Sequence, residues 1–284
     1  MEKQKNQYAN GRKVRKLKDF SDGPASARHI KHILSLVCGV LIWWLLSLMP
    51  GVGVILAGPQ DIIRKALPEL LNDGSSGEFE RFLLVKHIRW SFQRVLLGWA
   101  IAFAAAIPTA FLMGWYRTFR DIVDPWIQFL RTIPPIALIP MVILLMGTGE
   151  KAKITVIFIT AFLVMTVTIY QGIRNIDVTL IKAARVLGAN DFQIFTKIIC
   201  PATVPFIITA VRLGLGAALT TLLAAESTGA QAGIGMRIRS LSNSFESAPM
   251  LMYIILLGII GLILVKVVDI IERKLTRWQE TINQ

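Results

Sequence analysis

The chain has 284 residues, of which 54% are hydrophobic and 17% are charged, and its mean hydropathy is +0.58. Because soluble globular domains carry about 25% charged residues, this composition argues against soluble domains and for one membrane domain. The net charge of +13 could suggest a nucleic-acid partner, but much of the excess lies in the first 31 residues. A cytoplasmic tail beside anionic lipids accounts for that charge, so no nucleic-acid partner is expected.

The predicted organisation is a basic cytoplasmic tail (residues 1–31), a transmembrane domain (32–271) and a short cytoplasmic C-terminal tail (272–284). The first apolar block, Ile33 to Met49, is near the lower length limit of a spanning helix, about 17 residues. Residues 51–94 show no clear span. Their nearly balanced charges favour an extracytoplasmic loop, in which amphipathic helical segments flank a flexible Gly-Ser-Ser-Gly break.

The second predicted span, Val95 to Trp115, is rich in glycine and alanine, which let helices approach closely in lipid. A short basic turn over residues 116–121 is predicted to follow on the cytoplasmic side.

Prolines dominate the third predicted span, which ends near Gly147 and includes Pro134, Pro135 and Pro140. Prolines leave backbone carbonyls without intrahelical partners, which neighbouring helices or water must satisfy. Two interpretations stay open: a kinked packing helix, or a helix that lines a translocation pathway. Arg131, just before the prolines, could face that pathway or extend to the cytoplasmic surface.

After a fourth span, Ile154 to Tyr170, the polar-containing stretch 172–205 parses as two short helices joined by a turn. One apolar face at helical spacing runs from Ile176 to Leu187. Gly188 is expected to end the first helix in the left-handed conformation. Asn190 is expected to cap the second helix with Gln193, and Pro201 to end it.

The spacing within this stretch resembles the signature loop of ABC importer permeases, which is Glu-Ala-Ala, three residues, Gly, nine residues, Ile, any residue, Leu-Pro. Here Ala183-Ala184, Gly188, Ile198 and Pro201 keep that spacing. Lys182 replaces the glutamate and Cys200 replaces the leucine. A basic first position is similar to the nitrate, sulfonate and taurine branch, although it removes any role for a carboxylate there. The simpler alternative is a pair of amphipathic helices in the lipid interface.

A fifth span, Val204 to Ala225, ends at Glu226, and a sixth, Met250 to Val268, follows an extracytoplasmic loop. Glu226 is either a pathway residue or an interfacial carboxylate paired with Arg237 or Arg239. Six spans place both termini in the cytosol, which agrees with the positions of the basic segments.

Catalytic patterns are absent from the sequence: it contains no phosphate-binding Gly-x4-Gly-Lys-Ser/Thr loop, no nucleophile elbow and no His-Glu-x-x-His. The three histidines have no ligand partners at metal-site spacing, so no metal is expected. The chain is therefore not expected to be an enzyme, and any ATP hydrolysis must reside in another polypeptide.

The resemblance implies an all-α polytopic membrane protein of about six transmembrane helices, with the type I ABC importer permease fold and cytoplasmic coupling helices. It implies two ATPase subunits that bind ATP and Mg, a second permease copy, an extracytoplasmic solute-binding protein and a bacterial inner-membrane location. The transported solute would be a small anion such as a sulfonate, taurine, nitrate or bicarbonate. A stand-alone secondary transporter or channel is the alternative function.

The coupling loop and the pathway are the two sites that the resemblance and the sequence imply, and neither holds a catalytic residue, a metal or a cofactor. The expected ATPase-coupling residues are Lys182, Ala183, Ala184, Gly188, Ala189, Asn190, Asp191, Phe192, Phe195, Ile198 and Pro201. The candidate pathway residues are Arg131, Pro134, Pro135 and Glu226.

Overall fold

The computed structural model describes residues 25–66 and 83–275, and these residues are helical or in short connections, without strands. Most of the predicted basic tail, the Gly-Ser-Ser-Gly break and the last nine residues lie outside this range. The chain divides into two compact units, residues 1–59 and 60–284. The first unit contains helix α1 (Ala25–Ser47), which includes most of the first apolar block, and a helical turn, Val52–Ile55.

The second unit is built from long helices and shorter helices between them. After the turn Pro59–Asp61 and a π-helical turn, Ile62–Ala66, the helices are α2 (Leu83–Trp115), α3 (Arg117–Thr132), α4 (Pro135–Met146), α5 (Glu150–Arg174), α6 (Val178–Val186), α7 (Asp191–Glu226), α8 (Ile234–Asn243) and α9 (Ser247–Leu275).

Helices α2, α5, α7 and α9 are long and apolar enough to cross a membrane. Helices α3 and α4 make a fifth span if they are one span broken by a bend of 104°. A shorter apolar stretch, Ile33–Ser47, lies in α1. The predicted all-α polytopic membrane fold is confirmed, whereas the number of about six spans stays a prediction.

The core forms where α2, α5 and α7 pack together through small residues, as their composition predicts. Ala102, Ala161 and Ala218 have no exposed surface. A Cβ atom on Gly98 would lie only 2.7 Å from Cγ2 of Ile157, so glycine is needed for α2 and α5 to approach this closely. In lipid such close van der Waals contact, rather than exclusion of water, holds helices together.

The N-terminal limit of the second span is corrected by the structure. Helix α2 begins at Leu83 rather than Val95 and includes the part of the predicted amphipathic segment that the structure describes. The hydropathy boundary misplaces the start because the helix continues through charged residues, among them Arg94, whose side chain is buried and paired with Glu150 and Glu226. The predicted basic turn over 116–121 is also wrong, since only Tyr116 interrupts the helices and α3 begins at Arg117.

The proline-rich region is two helices joined at a sharp bend rather than one kinked helix. Helix α3 ends at Thr132, Pro134 is the N-cap of α4, and Pro135 is its first residue. The residue before a proline avoids the α conformation, whereas proline itself suits the first helical position. The pair Pro134-Pro135 therefore ends one helix and starts the next, and the chain turns sharply between them.

Candidate functional site

The predicted coupling segment consists of α6, a turn, and the first residues of α7, and it is capped at each junction. Asp177 caps α6 by accepting a hydrogen bond from the backbone N–H of Thr179 at 2.8 Å, which lowers the pKa of its carboxyl. Gly188 has φ +82°, the left-handed conformation predicted for it. Asn190 and Gln193 form the predicted capping box. These hydrogen bonds are all local, so the conformation of the turn is specified by its own sequence.

Several apolar side chains on this capped segment are largely exposed. The exposed fractions are 87% for Val186, 86% for Leu187 and 73% for Phe192. Lys182 is also exposed, and Arg185 pairs across the turn with Asp191 at 3.1 Å. An ordered, apolar and exposed surface of this kind is typical of a site that another protein covers.

Phe195 differs from Phe192 because its ring packs inside the chain. It makes edge contacts with Trp115 and Phe111 of α2, with ring centroids 5.2 Å and 5.4 Å apart. The three rings and Phe192 line a groove of about 450 Å³ beside the C-terminal end of α2. Phe195 therefore fixes the start of α7 against α2, while Phe192 stays available for contact.

The other predicted coupling residues lie along the same segment. Ala183, Gly188, Asn190, Asp191 and Pro201 are exposed, and Ala184, Ala189 and Ile198 are half-buried.

Pro201 does not end the second helix, contrary to the prediction. Helix α7 runs without interruption from Asp191 to Glu226, 36 residues. A π-helical turn, Phe195–Ile199, precedes the proline, and the N–H of Cys200 bonds to the carbonyl of Phe195. The wider turn accommodates a residue that lacks an N–H, which is one of the ways in which a helix tolerates an internal proline.

A second polar cluster, which we call the clasp, lies at the opposite end of α7. It consists of the side chains of His87, Ser91, Arg94, Glu150 and Glu226 and the backbone of residues 232–235. Arg94 donates from Nη1 to Glu226 Oε1 at 2.5 Å and from Nη2 to Glu150 Oε1 at 2.8 Å. Arg94 is 2% exposed and Glu226 is fully buried.

The clasp also holds the backbone that leads into α8. Gly233 N–H donates to His87 Nδ1 at 2.9 Å, and Ile234 N–H donates to Ser91 Oγ at 2.8 Å. Gly235 N–H donates to Glu226 Oε2 at 2.8 Å, and Ser91 Oγ donates to the same carboxylate. Three consecutive amides are thus bound by three side chains from α2 and α7.

Of the two interpretations of Glu226, the one that pairs it with Arg237 or Arg239 is wrong. Its ion pair is with Arg94 of α2, 132 residues earlier in the chain, and not with Arg237 or Arg239. Sequence reasoning missed Arg94, Ser91 and His87, although their spacing of three and four residues places them on one helical face, which was an available signal.

The remaining candidate pathway residues do not join the clasp. Arg131 is exposed and donates to Gln128 Oε1 at 3.3 Å, while Pro134 and Pro135 form the α3–α4 bend. Within the described residues, no group of three His, Cys, Asp or Glu side chains could hold a metal ion.

Comparison with known proteins shows the family to which the chain belongs. The profile of the binding-protein-dependent transport system inner membrane component matches residues 99–277, well over half of the chain. The chain belongs to this permease family. A probable ABC transporter permease protein of Brucella abortus is 43% identical to the permease over 249 residues, 88% of the chain and 95% of the relative.

Other comparisons agree with the predicted branch. The taurine transport system permease protein TauC of Escherichia coli is 30% identical over 256 residues, 90% of the chain and 92% of the relative. Further relatives are named for aliphatic sulfonates and nitrate. The methionine ABC transporter MetNI, solved in inward-facing conformations, matches with a TM-score of 0.58 and 22% identity over 71% of the chain and 100% of the solved chain, which shows the fold.

The predicted identity is therefore confirmed: the permease is the membrane subunit of an ABC importer, in the branch with taurine, sulfonate and nitrate permeases. The alternative of a stand-alone transporter or channel is not supported. As a member of this family the permease is a multi-pass inner-membrane protein that works with an ATPase and a binding protein.

Proposed function

We propose that this permease forms an alternating-access pathway for a small anion and that α6 with the start of α7 docks on a separate ATPase subunit. The observation that carries the docking proposal is the exposed apolar surface formed by Val186, Leu187 and Phe192 on a segment whose turn and helix ends are capped. Because the segment is ordered in the free chain, docking costs little conformational entropy.

In the proposed complex two copies of the permease bind two ATPase subunits, which hold ATP and Mg, and one extracytoplasmic binding protein. The permease binds no cofactor and does not hydrolyse ATP. Both termini and the coupling segment face the cytosol. Movement of the ATPases on binding ATP then displaces the coupling segment and shifts the population between inward-open and outward-open packings.

The substrate class follows from the relatives alone: permeases named for taurine, aliphatic sulfonates and nitrate share the ligand chemistry of a small oxyanion. We propose a sulfonate, taurine, nitrate or bicarbonate as the solute. Titration of the importer's binding protein with these anions by calorimetry tests this, with saturable binding of one of them expected. Binding of none of them, with binding of an amino acid or a cation instead, would contradict the substrate class.

The docking proposal is tested by co-purification of the ATPase with Phe192→Asp. We expect the ATPase to be lost because a carboxylate enters an apolar contact, while the variant still inserts and stays monodisperse. Phe245→Asp is the matched control, since Phe245 is 92% exposed but follows α8 at the other end of the molecule. Undiminished ATPase recovery with Phe192→Asp would contradict docking at this surface.

A further inference from the structure

The coupling segment and the clasp are the two ends of one helix. Helix α7 has 36 residues from Asp191 to Glu226, which corresponds to a length of about 54 Å. Asn190, the cap beside Phe192, lies at its start, and the buried carboxylate of Glu226 is its last side chain. A displacement of the coupling segment therefore reaches the clasp through a single element rather than through a chain of side-chain contacts.

At the clasp, α7 is joined to the element that follows it. The loop from Ser227 to Gly233 folds back, so that Gly235 donates its N–H to the carboxylate of Glu226. The preceding residue, Ile234, is bonded to Ser91 of α2. The start of α8 is thus attached to α7 and α2 together, and it cannot move independently of them while these bonds hold.

The glycines of the clasp leave no room for adjustment. A Cβ atom on Gly233 would overlap the carboxylate of Glu226, and a Cβ atom on Gly235 would lie 2.9 Å from the carbonyl oxygen of Leu223. Gly233 also has φ +140°, which side chains rarely adopt. Contact between the carboxylate and the backbone is therefore direct, without an intervening side chain or space for one.

The presence of an ion pair in the clasp is better explained by the single backbone arrangement that it specifies than by a gain in the free energy of unfolding. Taking Arg94 and Glu226 out of water costs several kcal/mol per ion, and well-packed apolar residues often stabilise a buried site as well as an ion pair does. An ion pair with hydrogen bonds from fixed directions instead specifies one arrangement. Arg94 also donates to the carbonyl of Ala232 at 2.6 Å, which adds a further directional bond to the same backbone.

We propose that the clasp makes α8 follow the outer end of α7, so that contact of the binding protein with the α8 side of the permease is transmitted through α7 to the ATPase. The proposal rests on the proposed function, since it needs the coupling segment and α8 to face opposite sides of the membrane. His87, Ser91, Arg94 and Glu226 are positioning residues that act through the placement of α8.

The test uses the permease reconstituted in nanodiscs with its own ATPase and binding protein. ATP hydrolysis is measured without and with the solute-loaded binding protein, and the ratio of the two rates is compared between variants. For Glu226→Gln we expect normal recovery of the ATPase, a basal rate within about twofold of wild type, and stimulation reduced at least about fivefold, because removing the charge weakens the bonds to Arg94 and Gly235.

Ser91→Ala is the second and milder variant, because it removes one hydroxyl with little change in volume, and it keeps the proposal testable if Glu226→Gln does not fold. It should reduce stimulation about two- to threefold. Asp269→Asn is the matched control: Asp269 pairs with Arg212 of α7 at 2.7 Å, so this variant weakens an ion pair on the same helix outside the clasp. Its stimulation ratio should remain that of wild type.

The outcomes separate the two proposals. Wild-type stimulation in folded Glu226→Gln, or in Ser91→Ala alone if the first variant does not fold, overturns the transmission proposal and leaves the proposed function intact. A lower melting temperature with an unchanged stimulation ratio assigns the clasp a purely structural role and also overturns it. A wild-type complex that does not respond to its binding protein contradicts the proposed function, and the transmission proposal with it.

Discussion

The two ends of α7 combine polarity and burial in opposite ways. At the coupling end, Phe192 and Leu187 are apolar and exposed, while at the clasp end Glu226 and Arg94 are charged and buried. In a soluble protein both arrangements would be unfavourable. The difference teaches that the coupling end leaves apolar side chains uncovered, as the proposed docking on an ATPase requires, whereas the clasp end pairs its own charges. At both ends of α7, therefore, hydropathy alone does not determine which side chains are buried.

The largest expected effect comes from removing the clasp carboxylate altogether. Glu226→Ala leaves the buried guanidinium of Arg94 with Glu150 alone, and loss of one partner of a buried ion pair typically costs about 3–5 kcal/mol of unfolding free energy. Unfolding in mixed micelles by denaturant measures this. Glu246→Ala, at an exposed position, should change the free energy by less than about 0.5 kcal/mol. Equal losses of unfolding free energy in the two variants would contradict the conclusion that the charges of the clasp are buried and paired with each other.

An intermediate effect is expected within the coupling end itself, where two phenylalanines have different surroundings. Phe195→Ala removes the ring contacts with Phe111 and Trp115, so we expect a loss of about 1–3 kcal/mol, below the range for a fully buried ring. Phe192→Ala should cost less than about 0.5 kcal/mol because the side chain is 73% exposed. The same unfolding measurement on the free permease tests this difference. A larger loss of unfolding free energy for Phe192→Ala than for Phe195→Ala would show that the Phe192 ring already packs within the permease.

The smallest effect concerns backbone strain beyond α8, on the clasp side. Phe245 has φ +58°, and the N–H of Glu246 bonds back to Leu241 at 3.0 Å in the manner of a helix C-terminus that usually carries glycine. Phe245→Gly should raise the unfolding free energy by about 1 kcal/mol, since glycine takes this conformation without a clash. Phe245→Ala removes the ring but keeps the strain, so it should give no comparable gain; equal gains would locate the effect in the ring.

The coupling turn was predictable because its determinants are local. Gly188, Asn190 and Gln193 specify a helix end and a new cap within six residues, and each behaves as its chemistry requires. The family spacing depends on the same few positions. The prediction that failed here was that the second helix ends at Pro201. The helix continues through a π-helical turn, and such a turn has no sequence pattern as clear as that of a proline.

The clasp could not be predicted in the same way because its partners are distant in sequence. Glu226 was recognisable as an unusual carboxylate, but nearby arginines in the sequence were the only partners that proximity suggested. Arg94 was placed outside the second span, since hydropathy moves the boundary to the point where charges stop. The packing of α2 and α7 against α5 brings the two residues together, and that packing depends on small residues such as Gly98 and Gly214, which approach Ile157 and Met165 of α5.

The bend between α3 and α4 lies between these cases. The prolines predicted an interruption of the helix, but they did not show whether it would be a kink within one helix or a break between two. Pro134 and Pro135 together favour a break, because the first cannot continue α3 and the second is suited to start α4. The direction of α4 after the break then depends on tertiary contacts of residues such as Ile139 and Val142, which are buried against α5 and α7.

The π-helical turn at Phe195–Ile199 determines the directions in which the side chains of the rest of α7 point around the helix axis. Each residue of an α-helix advances about 100° around the axis, so one residue more or fewer in this turn would rotate the segment Cys200–Glu226 by that angle. The carboxylate of Glu226, about 40 Å further along, would then be directed away from Arg94. A change of one residue near the start of α7, which would look small in an alignment, thus has its main structural consequence at the other end of the helix.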